Sequence, residues 1–168
     1  MGMDMRVREV RLADAAAVVQ ILNPIIETGR YTILDTPVTT EAERLYISQL
    51  PERGIFHIAE TPDGDRIVGF QTMEPFAGYT RACDHVGVVA TFVDLACRRQ
   101  GIGTRLFVAT FAAARQKGYE KVFTYVRADN PAALAAYTKC GFQIIGTAAK
   151  HARIGGRYVD EVLIEKFL

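Results

Sequence analysis

The stretch that decides the fold covers residues 85–107 and reads HVGVVATFVDLACRRQGIGTRLF. Its first part is a continuous apolar run rich in Val, which is typical of a strand buried on both faces. An amphipathic pattern begins at Gly103 and continues to Gly118, which is well placed to end a helix. A second strand pattern, EKVFTYVRA, follows directly. Strand, helix and strand in so few residues predict a right-handed parallel crossover.

The segments on either side of this crossover predict one mixed α/β sheet. They contain an alternating strand, two helices and a hairpin before the crossover, and a capped helix and two strands after it. Nothing in the sequence divides the chain, so we expect a single domain over residues 1–168 with a mixed, mostly antiparallel sheet flanked by helices. In order, the segments are MRVREVRL, a helix from Asp14 to Gly29 that Pro24 kinks or splits, a helix from a cap at Thr39 or Thr40 to about Leu50, the hairpin strands IFHIAE and IVGFQTME, a helix from the cap Asn130 to Gly141, and the strands FQIIGTAAKH and RYVDEVLIEKFL.

Composition and charge argue against several classes of function. The formal net charge of +1 gives no overall field that would attract nucleic acid or an anionic membrane. The three cysteines are far apart and form no C-x-x-C pair, so we expect neither a disulfide framework nor a metal site. The longest apolar run is too short to span a bilayer, and Asp4 and Arg6 interrupt the N-terminus before any signal-peptide pattern. We therefore expect a cytoplasmic protein.

The turn at Arg98–Thr104 has the composition of an anion site. Its glycines lie where a strand meets a helix, so several backbone N–H groups can point at one spot with no side chain in the way. The helix N-terminus and the two arginines add positive charge, which favours a phosphate or pyrophosphate. A glycine-rich turn with two solvated arginines is the alternative. Neither a Walker loop nor a dinucleotide fingerprint fits, because no Lys follows Gly103 and Leu106 stands where a third glycine would be needed.

Three motifs together resemble those of the GNAT superfamily of N-acetyltransferases. The run Arg98-x-x-Gly101-x-Gly103 looks like the family's coenzyme A pyrophosphate loop, and Asn130, Tyr137 and the CGF at residues 140–142 are similar to its Asn…Tyr…Gly-Phe pattern. The closing strand resembles that of the bacterial phosphinothricin and small-amine acetyltransferases. The resemblance covers nearly the whole chain and implies a GNAT-like acyl-CoA N-acyltransferase fold. It also implies acetyl-CoA as cosubstrate, no metal, and a homodimer as a common assembly.

The resemblance further implies a set of coenzyme-binding residues. In such enzymes the strand before the loop splays away from its neighbour, and the pantetheine arm fills the gap. Asn130 would bind the arm or the adenosine side, although a helix cap is an equally good role for it. The remaining expected contacts are the backbone of Phe92 and Val93 for the arm, and Arg98, Arg99, Gln100, Gly101, Ile102, Gly103 and Thr104 for the pyrophosphate.

Family analogy assigns to Tyr137 the hydrogen bond or proton for the departing thiolate, whereas packing on an apolar helix face is the structural alternative. A backbone N–H near Val93 is the natural donor to the carbonyl oxygen. Some relatives carry a Glu or His base in the middle of the strand before the loop, but VGVVATFV has none. His85 and Glu74 are our candidate bases, Asp84 is a further rival, and a water chain would need none of them.

The acceptor is the least determined part of this interpretation. We expect a primary amine of a small or amino-acid-like molecule, held by the loop after the first helix, the loop Pro75–Asp84 and the final hairpin. Tyr31 and Tyr79 are candidates to pack on its carbon skeleton. The alternatives are a protein N-terminus or lysine as acceptor, and a non-catalytic acyl-CoA-binding module.

Overall fold

The computed structural model of the chain describes residues 5–168 and contains seven strands, four α-helices and two short 3₁₀ turns. The 3₁₀ turns lie at Leu12–Asp14 and Leu95–Cys97. No helix within residues 5–168 is long and apolar enough to cross a membrane. The elements are β1 (Arg6–Glu9), α1 (Ala15–Glu27), α2 (Thr40–Ser48), β2 (Ile55–Glu60), β3 (Ile67–Pro75), β4 (Val86–Val93), α3 (Ile102–Gln116), β5 (Lys121–Arg127), α4 (Pro131–Lys139), β6 (Gln143–Ile154) and β7 (Arg157–Phe167).

The helix limits follow the local signals of the sequence. Thr39 is the cap of α2, since its Oγ1 accepts a hydrogen bond from the Ala42 amide at 3.1 Å. Helix α1 runs through Pro24 as far as Glu27 and is not split there. Gly118, with φ of 80°, follows the last turn of α3 in the left-handed conformation that glycine adopts most easily.

All seven strands form one sheet in the order β1-β2-β3-β4-β5-β7-β6. Only β4 and β5 are parallel, and every other neighbouring pair is antiparallel. One apolar cluster joins α1 to β2 and β3, and a second lies between α3 and the middle strands. The prediction of a mixed, mostly antiparallel sheet flanked by helices is confirmed.

The sheet opens between its two parallel strands. Val86–Val88 of β4 pair with Lys121–Phe123 of β5, and within the described residues the pairing ends there. Beyond that point β4 stays bound to β3 as far as Val93, while β5 stays bound to β7 as far as Arg127. The two strands therefore diverge, and a gap widens from Val88 toward the turn that precedes α3.

The expectation that β4 is buried on both faces is wrong for most of its length. Gly87 and Val89 are buried, but the residues from Ala90 to Val93 are only partly covered. The physical reason is the gap, because a strand without a neighbour on one side leaves that side of its backbone and side chains open. The apolar run in the sequence gives no sign of this lost neighbour.

Candidate active site

The turn Arg98–Thr104 lies at the wide mouth of the gap and presents its backbone outward. Arg99 and Gly101 both have positive φ, 62° and 78°, so the chain curls into a concave arrangement of successive amides. The side chain of Ile102 is buried and anchors the turn against the sheet. A Cβ atom added to Gly103 would meet no atom within 4 Å, so space is open beside the first turn of α3. This geometry suits an anion held by backbone N–H groups.

The two arginines of the turn differ in their surroundings. The Arg98 guanidinium lies 3.8 Å from the centre of the Tyr31 ring, which comes from the loop between α1 and α2. Arg99 is exposed, and neither arginine forms an ion pair with any residue in the described range 5–168. Tyr31, which we expected to pack on the acceptor, thus supports Arg98, and its contact with an acceptor stays a prediction. Stacking leaves the guanidinium edge available to a phosphate.

The expected arm-binding residues lie along the open part of β4. Phe92 and Val93 pair with Phe70 and Gly69 of β3, and the Phe92 ring stacks on Phe70 at 5.0 Å. Their other backbone edge faces the gap. Of the remaining loop residues, Gln100 and Thr104 are exposed at its mouth.

Tyr137 is buried in the gap and makes one polar contact there. Its Oη lies 3.2 Å from Oγ1 of Thr91, on the open part of β4. Edge-on contacts with Phe107 and Phe142, at 5.2 and 5.1 Å between ring centres, fix the ring itself. Burial raises the pKa of Tyr137 to about 12, and the hydrogen bond with Thr91 opposes that rise. The phenol is thus neutral at any physiological pH.

Asn130 is the N-cap of α4, which is the structural role expected for it as an alternative to coenzyme binding. Its Oδ1 accepts a hydrogen bond from the Ala133 amide at 3.2 Å, and Pro131 occupies the first turn. The side chain is buried. The cap fixes where α4 begins and thereby sets the position of Tyr137 two turns later.

Glu74 lies at the closed end of the gap. It is paired with Val88, the last residue of β4 that still contacts β5. Its Oε1 accepts a hydrogen bond from the hydroxyl of Tyr46 on α2. Burial and this bond raise the pKa of the Tyr46 phenol, which therefore stays a donor. Glu74 is partly buried and faces the α1 and α2 side of the sheet.

His85 and Asp84 lie in the turn before β4. His85 is exposed, and its backbone carbonyl accepts hydrogen bonds from the Glu120 and Lys121 amides at 2.9 and 3.0 Å. Asp84 pairs with Arg81 at 3.6 Å. The structure thus brings Glu74 beside the point where the strands part and leaves the other two candidates outside it.

The loop after α1 is fastened to the far side of the gap by a residue that the sequence did not suggest. Arg127, at the end of β5, is buried and donates to the carbonyl oxygens of Gly29 and Thr32 at 2.7 and 3.1 Å. Asp129 accepts two further bonds from it, at 2.8 and 2.7 Å. The loop therefore bridges the gap from β5 to Arg98.

The expected acceptor loop Pro75–Asp84 borders an open cleft. The cleft has a volume of about 420 Å³ and lies between this loop and residues 51–53. Tyr79 lines it and is 89% exposed. Phe76 contacts Phe123 of β5 edge-on at 5.8 Å.

Thr91 and Gln71 are polar site residues that the sequence analysis missed. Gln71 is fully buried, lies directly opposite Thr91 on β3, and donates from Nε2 to Thr91 Oγ1 at 2.8 Å. One signal was available: Gln71 is the polar member of the inward-facing set that also holds Gly69 and Met73. A buried amide in such a position needs a partner.

Within residues 5–168 no three His, Cys, Asp or Glu side chains are grouped so that they could hold a metal ion.

Comparison with known proteins agrees with this geometry. The model of the acetyltransferase (GNAT) family matches residues 21–142, more than half of the chain. YwnH of Bacillus subtilis, provisionally named a phosphinothricin acetyltransferase, is 28% identical over 158 residues, which cover 94% of each chain. A solved structure, provisionally named a phosphinothricin N-acetyltransferase, superimposes with a TM-score of 0.89 at 25% identity over 98% of this chain and 99% of that one.

A second solved structure shows the same fold with its coenzyme bound. The phosphinothricin acetyltransferase of Sinorhizobium meliloti, in complex with acetyl-CoA, has a TM-score of 0.90 at 18% identity, covering 99% of this chain and 89% of that one. Fold, loop, gap and family match lead to one conclusion: the chain belongs to the GNAT family and is an acetyl-CoA-dependent N-acetyltransferase.

Proposed function

We propose that this enzyme transfers the acetyl group of acetyl-CoA to the primary amine of a small, amino-acid-like molecule by direct attack. The observation that carries the proposal is the gap between β4 and β5, which begins after Val88, contains Tyr137 and opens at the turn Arg98–Thr104. A narrow slot with a phenol inside and an anion site at its mouth fits a diphosphate joined by a long arm to a thioester.

The coenzyme-binding assignments follow the order of these features. The amides around Gly101 and Gly103, with Arg98 and Arg99, bind the pyrophosphate. The free backbone edge of Phe92 and Val93 pairs with the arm in the way that β5 pairs with β4 farther down. Asn130 contributes through its cap, which holds α4 against the gap.

Glu74 is the proposed base. An alkyl ammonium has a pKa of roughly 10, so only about one molecule in a thousand is neutral at pH 7 and the enzyme must take up its proton. Glu74 pairs across the sheet with Val88, where the pairing of β4 with β5 ends, and within residues 5–168 a side-chain hydrogen bond, from Tyr46, is given to only one of its carboxylate oxygens. We prefer it to His85, which is exposed in the turn before β4.

Tyr137 is the proposed donor to the leaving sulfur. As the new carbon–nitrogen bond forms and the carbon–sulfur bond breaks, the electron pair of the broken bond stays on sulfur, and the Tyr137 proton moves to it. The nitrogen, which is positively charged after the attack, loses one proton to solvent and the phenolate takes one up, so the products are the amide and the free thiol of coenzyme A. A backbone N–H near Val93 stabilises the carbonyl oxygen while negative charge develops on it.

The acceptor class rests on three of the similar proteins, whose names specify phosphinothricin acetyltransferases, whereas other relatives are named mycothiol acetyltransferases. The cleft beside residues 75–84 and the partly buried Glu74 suit a small cationic amine more than an extended peptide. A cytoplasmic location and a homodimer complete the proposal.

The test combines protein, acetyl-CoA and a panel of amines that starts with phosphinothricin, and follows release of free thiol with a thiol-reactive dye. We expect turnover with at least one small amine. The double variant Arg98→Ala/Arg99→Ala should weaken coenzyme binding at least tenfold, because two charges at the diphosphate are lost. Arg115→Ala, in the last turn of α3, is the matched control and should bind normally. Failure of every small amine, together with acetylation of a peptide N-terminus or lysine, would overturn the acceptor assignment.

A further inference from the structure

The hydroxyl of Thr91 lies between two buried partners. Its oxygen is 2.8 Å from Nε2 of Gln71 and 3.2 Å from Oη of Tyr137, and within residues 5–168 it has no other hydrogen-bond partner. An amide nitrogen is only a donor, so the Gln71 bond runs toward Thr91. The Thr91–Tyr137 bond joins two hydroxyl groups and can run either way.

The direction of that second bond decides where the Tyr137 proton points. If Tyr137 donates to Thr91, the Thr91 hydrogen has no acceptor and the Tyr137 hydrogen is bonded to Thr91 instead of facing a ligand. If Thr91 donates to Tyr137, the Thr91 hydrogen is bonded and the hydrogen left without an internal acceptor is that of Tyr137. Both arrangements leave one hydroxyl hydrogen over, but in the second the bonds run head to tail from Gln71 through Thr91 to Tyr137, and hydrogen bonds in such a chain strengthen one another.

The orientation of the Gln71 amide sets the direction of the first bond. Gln71 is fully buried, and its Oε1 has no hydrogen-bond partner within the described residues. Turning the amide over would direct Oε1 at Thr91 and leave two N–H donors without partners, and buried N–H groups without partners are rarer than such carbonyl oxygens. The arrangement with Nε2 on Thr91 is therefore the better one.

We propose that Gln71 and Thr91 are positioning residues for the leaving-group proton: Gln71 donates to Thr91, Thr91 donates to the phenol oxygen of Tyr137, and the Tyr137 O–H is left free for the sulfur in the gap. This inference rests on the proposed role of Tyr137 and extends it. A phenol that already accepts a hydrogen bond has its own proton aimed before the substrate arrives, so no internal bond must break during the reaction. Gln71 and Thr91 both act through Tyr137.

The groups around this chain of side chains do not supply a competing charge. His57 is the neighbour of Gln71 on β2, and its Nδ1 is 3.0 Å from Thr110 Oγ1. Burial lowers the pKa of His57, which keeps the ring neutral. On the other side, burial raises the pKa of the Cys140 thiol, which follows α4. Both groups are therefore uncharged near neutral pH.

The test compares the binding of coenzyme A and of desulfo-coenzyme A, which lacks the sulfur, by calorimetry. It needs no acceptor amine. A free Tyr137 O–H should make the wild-type protein bind coenzyme A about two- to tenfold more tightly, the usual range for one hydrogen bond. Thr91→Val should reduce this ratio to that of Tyr137→Phe while leaving the affinity for desulfo-coenzyme A unchanged, and Gln71→Met should reduce it part of the way.

Two controls separate positioning from structure. Thr91→Ser keeps the hydroxyl and should restore the wild-type ratio. Thr110→Val removes another buried threonine hydroxyl on the same side of the sheet, one that bonds to His57, and should leave the ratio unchanged. Melting temperatures should show that all variants are folded, with Gln71→Met at or above the wild type because it removes the oxygen that has no partner.

Each outcome decides the matter. A wild-type ratio that survives Thr91→Val but is lost in Tyr137→Phe would overturn the positioning role and leave Tyr137 as the donor. Equal affinity of the wild-type protein for the two ligands would show that the phenol proton does not face the sulfur, and would overturn the proposal. No binding of either ligand would instead refute the proposed coenzyme site itself.

Discussion

The two ends of β4 both depend on glycine, but for opposite physical reasons. At the closed end, a Cβ atom added to Gly87 would lie 2.2 Å from Cε of Met73 and 3.2 Å from Cε1 of Tyr119. At the open end, beyond Val93, an added Cβ at Gly101 or Gly103 would meet nothing within 4 Å. Gly87 allows the core side chains to pack closely, whereas Gly101 and Gly103 leave space beside the turn for a bound ligand. Stability and binding should therefore respond separately to changes at the two ends.

The largest effect on turnover is expected at Glu74, which lies opposite Val88, the residue at which the pairing of β4 with β5 ends. Glu74→Gln keeps the size of the side chain and removes the proposed base, so turnover at pH 7 should fall about 10²- to 10⁴-fold, the usual contribution of acid–base catalysis. Steady-state thiol release gives kcat, and calorimetry should show that coenzyme A still binds normally. Turnover within a factor of three of the wild type would transfer the base role to a water chain.

The next effect is on stability at the closed end alone. Gly87→Ala should lower the free energy of unfolding by about 1–3 kcal/mol, because the added methyl must displace Met73 and crowd Tyr119. Urea unfolding measures this change. The folded variant should bind coenzyme A with wild-type affinity, so a tenfold loss of affinity would show that the two ends are not independent.

The opposite combination is expected at the open end. Gly103 lies in the first turn of α3 without a positive φ, so Gly103→Ala should raise the free energy of unfolding by about 0.4–1 kcal/mol through reduced freedom of the unfolded chain. The same methyl would enter the space beside the loop amides, and coenzyme A affinity should fall. A variant that is more stable and binds equally well would contradict the proposed pyrophosphate site.

The smallest effect concerns pH and tests whether the Tyr137 phenol is shielded from water. Tyr137 donates only while protonated, and burial raises its pKa to about 12, so the donor form persists throughout the range below that value. We expect kcat to rise to a plateau as the bound amine loses its proton, with no decline by pH 10. A decline with a midpoint near 10 would indicate a solvated phenol with an ordinary pKa.

Features set by local chemistry were predictable from the sequence. The caps at Thr39 and Asn130 and the stop at Gly118 depend on residues within one turn, and so does the concave turn at Gly101. The element order and mixed sheet follow from periodicity, since the alternating and helical patterns are clear on both sides of the crossover. Tyr137 was identified through the resemblance and not through its surroundings.

Features that need two distant segments were not predictable. The parting of β4 from β5 after Val88 depends on how two strands pack against different neighbours, and the apolar run looks the same on either side of that point. The contact of Arg98 with Tyr31 and the bonds from Arg127 to the loop after α1 join residues far apart in sequence. The sequence indicated Gln71 as a polar residue on the inward face of its strand. Its partner Thr91 could be identified only from the register of β3 against β4.

The Tyr31 ring lies against the Arg98 guanidinium, so a diphosphate bound at the turn would also affect the loop after α1. Phosphate oxygens would attract the Arg98 guanidinium and alter its contact with the Tyr31 ring. Arg127 meanwhile holds Gly29 and Thr32 of the same loop to β5. We therefore expect the loop after α1 to take its final position only once the coenzyme is bound. Such a coupling predicts ordered binding, with the thioester before the acceptor.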